Sequence, residues 1–206
     1  DEAQTGLGKT GKLFGFQNEQ RLKPGIIAIS KHFGGGLPIS AVCTTADVAK
    51  RAAGRGYFAT RSHATDPLLC AAGEESLDIV VEEDMPGKAA QIERWIKSAF
   101  RKMAKDFEWI GDIRGRGVLL GIELVSDRET REPANAATQK IYEYALDKGL
   151  IFQIRGVREL KNVIRLVPPM TSTRAEVDQA MSILYDGFSE LKKKGTKRKA
   201  TLRKKR

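Results

Sequence analysis

Residues 24–38 read Pro24-Gly25-Ile26-Ile27-Ala28-Ile29-Ser30-Lys31-His32-Phe33-Gly34-Gly35-Gly36-Leu37-Pro38. Four consecutive apolar residues bounded by breakers predict a short strand over 26–29, buried on both faces. Ser30-Lys31 ends it. The glycine run then predicts a flexible loop with room for a flat ring, and a second apolar patch follows at Ile39 to Val42. A lysine placed directly after a buried strand is poorly solvated, which disfavours its ammonium form. The neutral amine is the form that condenses with an aldehyde. A plain solvated lysine fits the same stretch, so other residues have to decide.

Upstream, Asp1 to Lys12 (DEAQTGLGKTGK) is rich in Gly and Thr and reads as loop. Gly6-x4-Gly11-Lys12 imitates a phosphate-cradling loop, but Leu13 stands where the magnesium-ligating hydroxyl belongs. Asp1 would lie at the C-terminal end of a strand if an apolar strand preceded it, and such strand ends collect functional groups in open α/β sheets. A carboxylate in that place could hold a pyridine nitrogen protonated; an ordinary acid fits equally. The chain opens on Asp1 rather than Met, which we read as a partial product.

Downstream, residues 46–55 predict a short polar helix, 57–67 a loop, and Leu68 to Glu83 a longer helix broken near Pro86. Ile92, Trp95, Ile96, Ala99, Phe100 and Met103 recur at helical spacing and mark a packing face. Ile113 to Gly117 leads into a strand region at Val118–Leu124, with Gly121 as the expected bulge. Ala136 to Lys148 predicts a helix stopped by Gly149. Short strands are expected at Leu150–Ile154 and Val163–Val167. Thr173 with Glu176 forms a capping box for a helix whose apolar face carries Val177, Met181, Leu184 and Phe188. The expected organisation is part of an α/β domain over 1–84, a small α+β domain over 85–191 and a basic, disordered tail over 192–206.

The 206 residues are 41% hydrophobic, enough for a sizeable core, and carry a formal net charge of +10. That charge is local. Residues 192–206 hold ten Lys/Arg and no acid, and removing them from the 36 basic residues leaves 26 against 26 acidic ones. The body is formally neutral, so the excess belongs to a tail and not to a folded surface. No apolar run reaches the ~18 residues of a membrane span, and no leader or transit peptide is visible. Cys43 and Cys70 form no CxxC pair and, with two histidines, no zinc pattern. They read as buried reduced thiols of an intracellular protein, cytoplasmic or mitochondrial.

The motifs DEAQTGLGKTGKLF (1–14) and PGIIAISKHFGGGLPISAV (24–42) closely resemble the class III (ω-) aminotransferases. There an acidic pair, x-Q-T-G-x-G-R-T-G and a strand precede S-K-x-x-G-G-G-x-P. HATDPL (63–68), IGDIRGRGVLLGIEL (110–124) and VIRLVPPMT (163–171) are similar to the 2,2-dialkylglycine decarboxylase branch. The resemblance implies the C-terminal half of an α/β, fold-type-I transferase dependent on pyridoxal 5′-phosphate: part of a large mixed-sheet domain plus a small α+β domain. It implies that Asp1 pairs with the pyridinium nitrogen and Gln4 lies near the ring's phenolic oxygen. Lys31 would bind the cofactor covalently and shuttle a proton. Ser62, where the family has Thr, would bind the phosphate of the neighbouring subunit's cofactor in a homodimer. Arg165 would grip the substrate carboxylate. In the decarboxylase branch a potassium or sodium ion would sit at the carbonyls of Ser62 and Ala64 and the carboxylate of Asp66. Partners would be an amino-acid or amine donor and a 2-oxo acid acceptor.

Three departures stand out: Ser62 for Thr, Gly25 where Asp is common, and Lys9 for Arg. The phosphate loop and the ring-stacking aromatic of the family are not in these residues, so the chain by itself is expected to be inactive and poorly folded. Two other readings stay open. One is a binding module whose KKK and KRK clusters meet nucleic acid or an import receptor, although the neutral body makes nucleic acid an unfavoured partner. The other is a degenerate, non-catalytic subunit that dimerises with a full-length relative.

Overall fold

The computed structural model describes residues 1–203, with side chains described to residue 193. The chain divides into two compact units, 1–90 and 91–206.

Unit 1 begins with a looped segment that ends in a 3-10 turn at Gly15–Asn18. Strand β1 (Ile26–Ile29) pairs antiparallel with β2 (Ala41–Thr44), Ile29 opposite Ala41. A second 3-10 turn, Lys31–Gly34, leaves the end of β1. Helices α1 (Ala46–Gly54) and α2 (Pro67–Glu82) follow. The Thr45 hydroxyl accepts the Val48 N–H and starts α1. Asp66 starts α2 by accepting the Leu68 N–H, with Pro67 in the first turn, where its missing N–H costs nothing.

The expectation that β1 is enclosed on both faces is not met. Ile26 is 58% exposed, and of the four strand residues only Ile29 is buried. The reason is topological: β1 has one strand neighbour, β2, and its other edge is met by the Asp1 loop through the Glu2 N–H rather than by a second strand. The thiols also differ from expectation. Cys43 points out from β2 and Cys70 lies in the exposed first turn of α2, so both are free and exposed.

Helix α3 (Met85–Asp106) runs across the boundary between the units. Pro86 falls in its first turn, so the break expected near Pro86 is a helix start. The predicted stripe is buried at Ile92, Ile96, Phe100 and Met103.

Unit 2 is built on four strands, β3 (Ile110–Arg116), β4 (Leu119–Leu124), β5 (Gln153–Arg155) and β6 (Val163–Leu166), all pairs antiparallel in the order β3-β4-β6-β5. Helix α4 (Asn135–Asp147) lies between β4 and β5 in the chain, and α5 (Arg174–Arg203) follows β6. Alternation sorts the faces. Leu120, Ile122, Leu124, Ile164 and Leu166 are all buried, as are Val177, Met181, Leu184 and Phe188 on α5. The irregularity in the sheet is at Gly111, between Ile110 and Asp112, and not at Gly121, which pairs regularly with Arg114 and Arg165. A Cβ on Gly111 would come within 2.8 Å of Val125 Cγ2, so the close approach requires glycine there.

The capping box forms as expected. The Thr173 N–H donates to Glu176 Oε2 (2.7 Å) and the Glu176 N–H donates to Thr173 Oγ1 (3.3 Å). Gly149, at φ 82°, stops the chain just after α4. Helix α5 continues to Arg203, through most of the stretch expected to be disordered. Lys, Arg and Ala are good helix formers and no proline interrupts them. The side chains of 194–206, which carry most of the basic cluster, lie outside the described residues. Among the described residues, no helix is long and apolar enough to cross a membrane.

Candidate active site

Lys31 follows β1 by two residues and opens the 3-10 turn. Its backbone is left-handed, at φ 57°, a conformation that an L side chain holds only when its surroundings impose it. Three contacts impose it. The Phe33 N–H closes on the Ser30 carbonyl (3.3 Å), the Gly35 N–H on the His32 carbonyl (3.2 Å), and His32 Nε2 reaches the Gly6 carbonyl (2.8 Å). Phe33 anchors the turn in unit 1. It is buried, and Gly73 of α2 lies against it: a Cβ there would come within 3.0 Å of Phe33 Cζ. Lys31 itself is exposed, so the burial that was to disfavour its ammonium is not found.

The loop after Lys31 is shaped by its glycines. A Cβ on Gly34 would lie 2.5 Å from Ile39 Cγ2, whereas Gly36, at φ 116°, faces open space. The exposed lysine is thus followed, after His32 and Phe33, by three residues without side chains.

Asp1 is brought to this corner by the residue after it. The Glu2 N–H donates to the Ala28 carbonyl of β1 (2.8 Å), three residues before Lys31. Asp1 Oδ1 accepts the Ala3 N–H (2.8 Å), and its carboxylate is exposed. Gln4 is exposed on the same loop. Lys9, in the place of the family's arginine, is half-buried, and burial pushes its ammonium below the ordinary lysine range.

Ser62 is exposed in the loop before α2. Around it the Ala64 N–H donates to the Arg61 carbonyl (3.1 Å), and His63 and Thr65 are both left-handed. Asp66 is already engaged: Oδ1 accepts the Leu68 N–H (3.2 Å), and Oδ2 lies 3.4 Å from His63 Nδ1. No cluster of three or more His, Cys, Asp or Glu suited to a metal occurs among the described residues.

Arg165 belongs to unit 2. It lies on β6 in one register row with Arg114, Gly121 and Gln153. Its Nη1 donates to Gln153 Oε1 (3.1 Å), and Arg155 Nη2 donates to the same oxygen (2.9 Å). On the same face the Arg114 guanidinium holds the Asp112 carboxyl below the ordinary carboxylate range and also binds Glu123 (2.6 Å). Gly121 stands between Arg114 and Arg165, where a Cβ would lie 3.4 Å from Val163 Cγ1 and 3.9 Å from Arg114 Cγ.

The arrangement in unit 1 is an exposed lysine on a strained turn, a glycine border, and a carboxylate loop bonded to the same strand. The family model described as aminotransferase class-III matches residues 1–188. The chain belongs to the class III aminotransferases. Among its class III relatives, a leucine/methionine racemase of Thermococcus litoralis is 33% identical over 192 residues, 93% of this chain and 42% of that protein. The mitochondrial alanine–glyoxylate aminotransferase 2 homolog 2 of Arabidopsis thaliana is 34% identical over 191 residues, 93% of this chain and 39% of its own length. An amine transaminase from an uncultivated Pseudomonas species, solved in its PLP-bound (internal aldimine) form, matches with a TM-score of 0.82 at 27% identity, over 92% of this chain and 43% of that one. The class III chain therefore spans about two fifths of the curated relatives it matches, and its mixed α/β fold corresponds to the C-terminal half of such transaminases.

Motif reading missed two residues at this corner. Glu2 was only the second member of the acidic pair, and His32 carried no signal beyond lying next to Lys31.

Proposed function

We propose that this chain is the C-terminal half of a pyridoxal-phosphate-dependent aminotransferase and that Lys31 is its cofactor lysine. The observation that carries the reading is Lys31 on its left-handed turn, with the Asp1 loop bonded to the strand that leads into it. The donor set fits the cofactor: one exposed amine, one exposed carboxylate, an exposed carboxamide and a glycine-rich loop after the lysine. Pyridoxal phosphate, when bound, supplies an aldehyde carbon that condenses with amines and a protonated ring that draws electrons from the substrate's α-carbon.

The chain's own residues do the rest. Asp1 would accept the N–H of the pyridinium and so keep the ring protonated. Gln4 donates to the phenolic oxygen. Lys31 would hold the cofactor through its Nζ and, once its amine is free, would serve as the base that takes the proton from the substrate α-carbon. The Ser62 hydroxyl donates to the phosphate of the neighbouring subunit's cofactor in a homodimer. The Arg165 fork takes the substrate carboxylate with two parallel N–H donors. Racemisation and transamination of amino acids share removal of the α-proton, so relatives of both kinds are consistent with one lysine base. The donor would be an amino acid or amine and the acceptor a 2-oxo acid, in the cytoplasm or, like the Arabidopsis relative, in mitochondria.

The finer reading is the decarboxylating branch, supported by HATDPL, IGDIRGRGVLLGIEL and VIRLVPPMT. There the bond from the α-carbon to the carboxylate would be the one broken, and a potassium or sodium ion would be held by the Ser62 and Ala64 carbonyls and Asp66. With 2-aminoisobutyrate and pyruvate, the full protein that contains these residues should release carbon dioxide, acetone and alanine. Turnover of an ordinary ω-amine donor without carbon dioxide would assign the broader family instead.

The main reading is tested by borohydride reduction of the full protein and peptide mass spectrometry. A pyridoxyl label on Lys31 is expected, and Lys31→Ala should abolish both label and cofactor absorption band. A band retained at the same wavelength and strength in that variant would sink it. The 206 residues expressed alone should bind no stoichiometric cofactor.

A further inference from the structure

Glu2 is 7% exposed, yet its carboxylate is fully occupied inside unit 1. It accepts the Gly15 N–H (2.8 Å), the Phe16 N–H (2.8 Å) and the Thr5 hydroxyl (2.5 Å). Its backbone works as hard: the N–H bonds Ala28 of β1, and the carbonyl accepts the Gly6 N–H (3.0 Å). The Gly6 carbonyl in turn meets His32 Nε2 at 2.8 Å. A carbonyl only accepts, so His32 carries its proton on Nε2. Burial, with the positive charges of Lys9 and Lys31 nearby, pushes the imidazole below the ordinary histidine range, while the Gly6 bond opposes that shift. Gly6 joins the two tethers. A Cβ there would sit 3.0 Å from the Glu2 carbonyl oxygen and 3.2 Å from Glu2 Cβ.

We propose that Glu2 and His32 are positioning residues, two tethers that clamp the Asp1–Gly6 loop across both flanks of Lys31. The Glu2 amide ties the loop to β1 three residues before the lysine. His32 ties it to the residue immediately after. Asp1 is therefore one residue from a fixed strand atom, and the left-handed Lys31 is held by a bond from its own neighbour. The clamp sets the separation between the carboxylate that holds the ring nitrogen and the amine that holds the ring's aldehyde carbon. This inference rests on the assignment of Lys31 and Asp1 above and adds the parts that fix their spacing.

The test uses His32→Phe, which keeps a flat ring without a donor, and His32→Gln, whose amide can still donate. Both are made in the full protein, and readouts are the borohydride label, visible circular dichroism per bound cofactor, and kcat. In His32→Phe the label on Lys31 should persist while the dichroism per cofactor drops and kcat falls about tenfold, as expected when a reacting pair is displaced by a fraction of an ångström. His32→Gln should restore both, and Glu2→Gln, which keeps the amide tether but replaces one carboxylate oxygen that accepts from Thr5, Gly15 or Phe16, should lower the dichroism to an intermediate value. A merely structural role would change the denaturation midpoint without moving the dichroism. Unchanged dichroism and kcat in His32→Phe with Lys31 labelled would overturn the clamp alone. So would a His32→Gln variant as impaired as His32→Phe. No label on Lys31 in the unmodified protein would overturn the cofactor reading and the clamp with it. Should His32→Phe not accumulate, nitrogen NMR of the unmodified protein decides: a neutral His32 protonated on Nε2 supports the tether, and one protonated on Nδ1 removes it.

Discussion

In unit 2 the sheet buries Ile122, Leu124 and Ile164 completely, and α5 adds Leu184 and Phe188 at 0% exposure. In unit 1 the buried apolar residues are few, Leu7, Ile29 and Phe33 among them, while Ile26 and Val42 of its two strands are exposed. Its first sixteen residues are held by hydrogen bonds to Glu2 and Gly6. The contrast separates two ways of ordering a chain. Burial is non-directional and tolerates small adjustments. A buried carboxylate with three donors fixes one geometry, and losing a partner leaves an unsatisfied group. Lys31 and Asp1, the proposed cofactor residues, lie in the second kind of region.

If that contrast holds, substitutions in the two units should fail differently. The largest stability effect should come from Phe188→Ala, which empties the site stacked on Phe107 at 5.2 Å between ring centroids. We expect a loss of about 3–5 kcal/mol in chemical denaturation of the full protein. A loss below about 1 kcal/mol would mean that unit 2 does not depend on its core. Gly73→Leu comes next. The new side chain meets Phe33 and Ile39, and overpacking should cost about 1–3 kcal/mol. Because Phe33 anchors the turn that holds Lys31, cofactor absorbance should fall as well, and retention of full absorbance would show that the turn is held without α2. The smallest effect belongs to Thr173→Ala, about 1 kcal/mol for a lost cap, with no change in cofactor content. It also has a pH signature. The Thr173 N–H and hydroxyl hold the Glu176 carboxyl below its ordinary value. A depressed folded value stabilises above the unfolded pKa and is lost as pH falls through the folded one. The substitution removes the hydroxyl and keeps the Thr173 N–H, so the gap between the variant and the unmodified protein should narrow in acid, and a constant gap would mean that the hydroxyl does not contribute to holding the carboxylate.

Much of unit 2 was legible. Helical spacing of Ile92, Ile96, Phe100 and Met103, the box at Thr173 and Glu176, and the stop at Gly149 are local signals, and local structure obeys them. The bulge was not legible. Gly111 and Gly121 are both glycines within strands, and only the packing of Val125 against Gly111 tells them apart. Strand burial failed for a similar reason. Ile26-Ile27-Ala28-Ile29 states that a strand is apolar, not how many neighbours cover it.

At the site, the ordered motifs around Asp1 and Lys31 were enough to point to the family, because a resemblance rests on residue type and order. They could not say that Lys31 is left-handed and exposed, nor that Glu2 and His32 converge on Gly6. Those facts depend on donors and acceptors up to 26 residues apart in the chain meeting within 3 Å. Directional bonds of that kind leave no periodic trace in the sequence, so only the tertiary structure decided them.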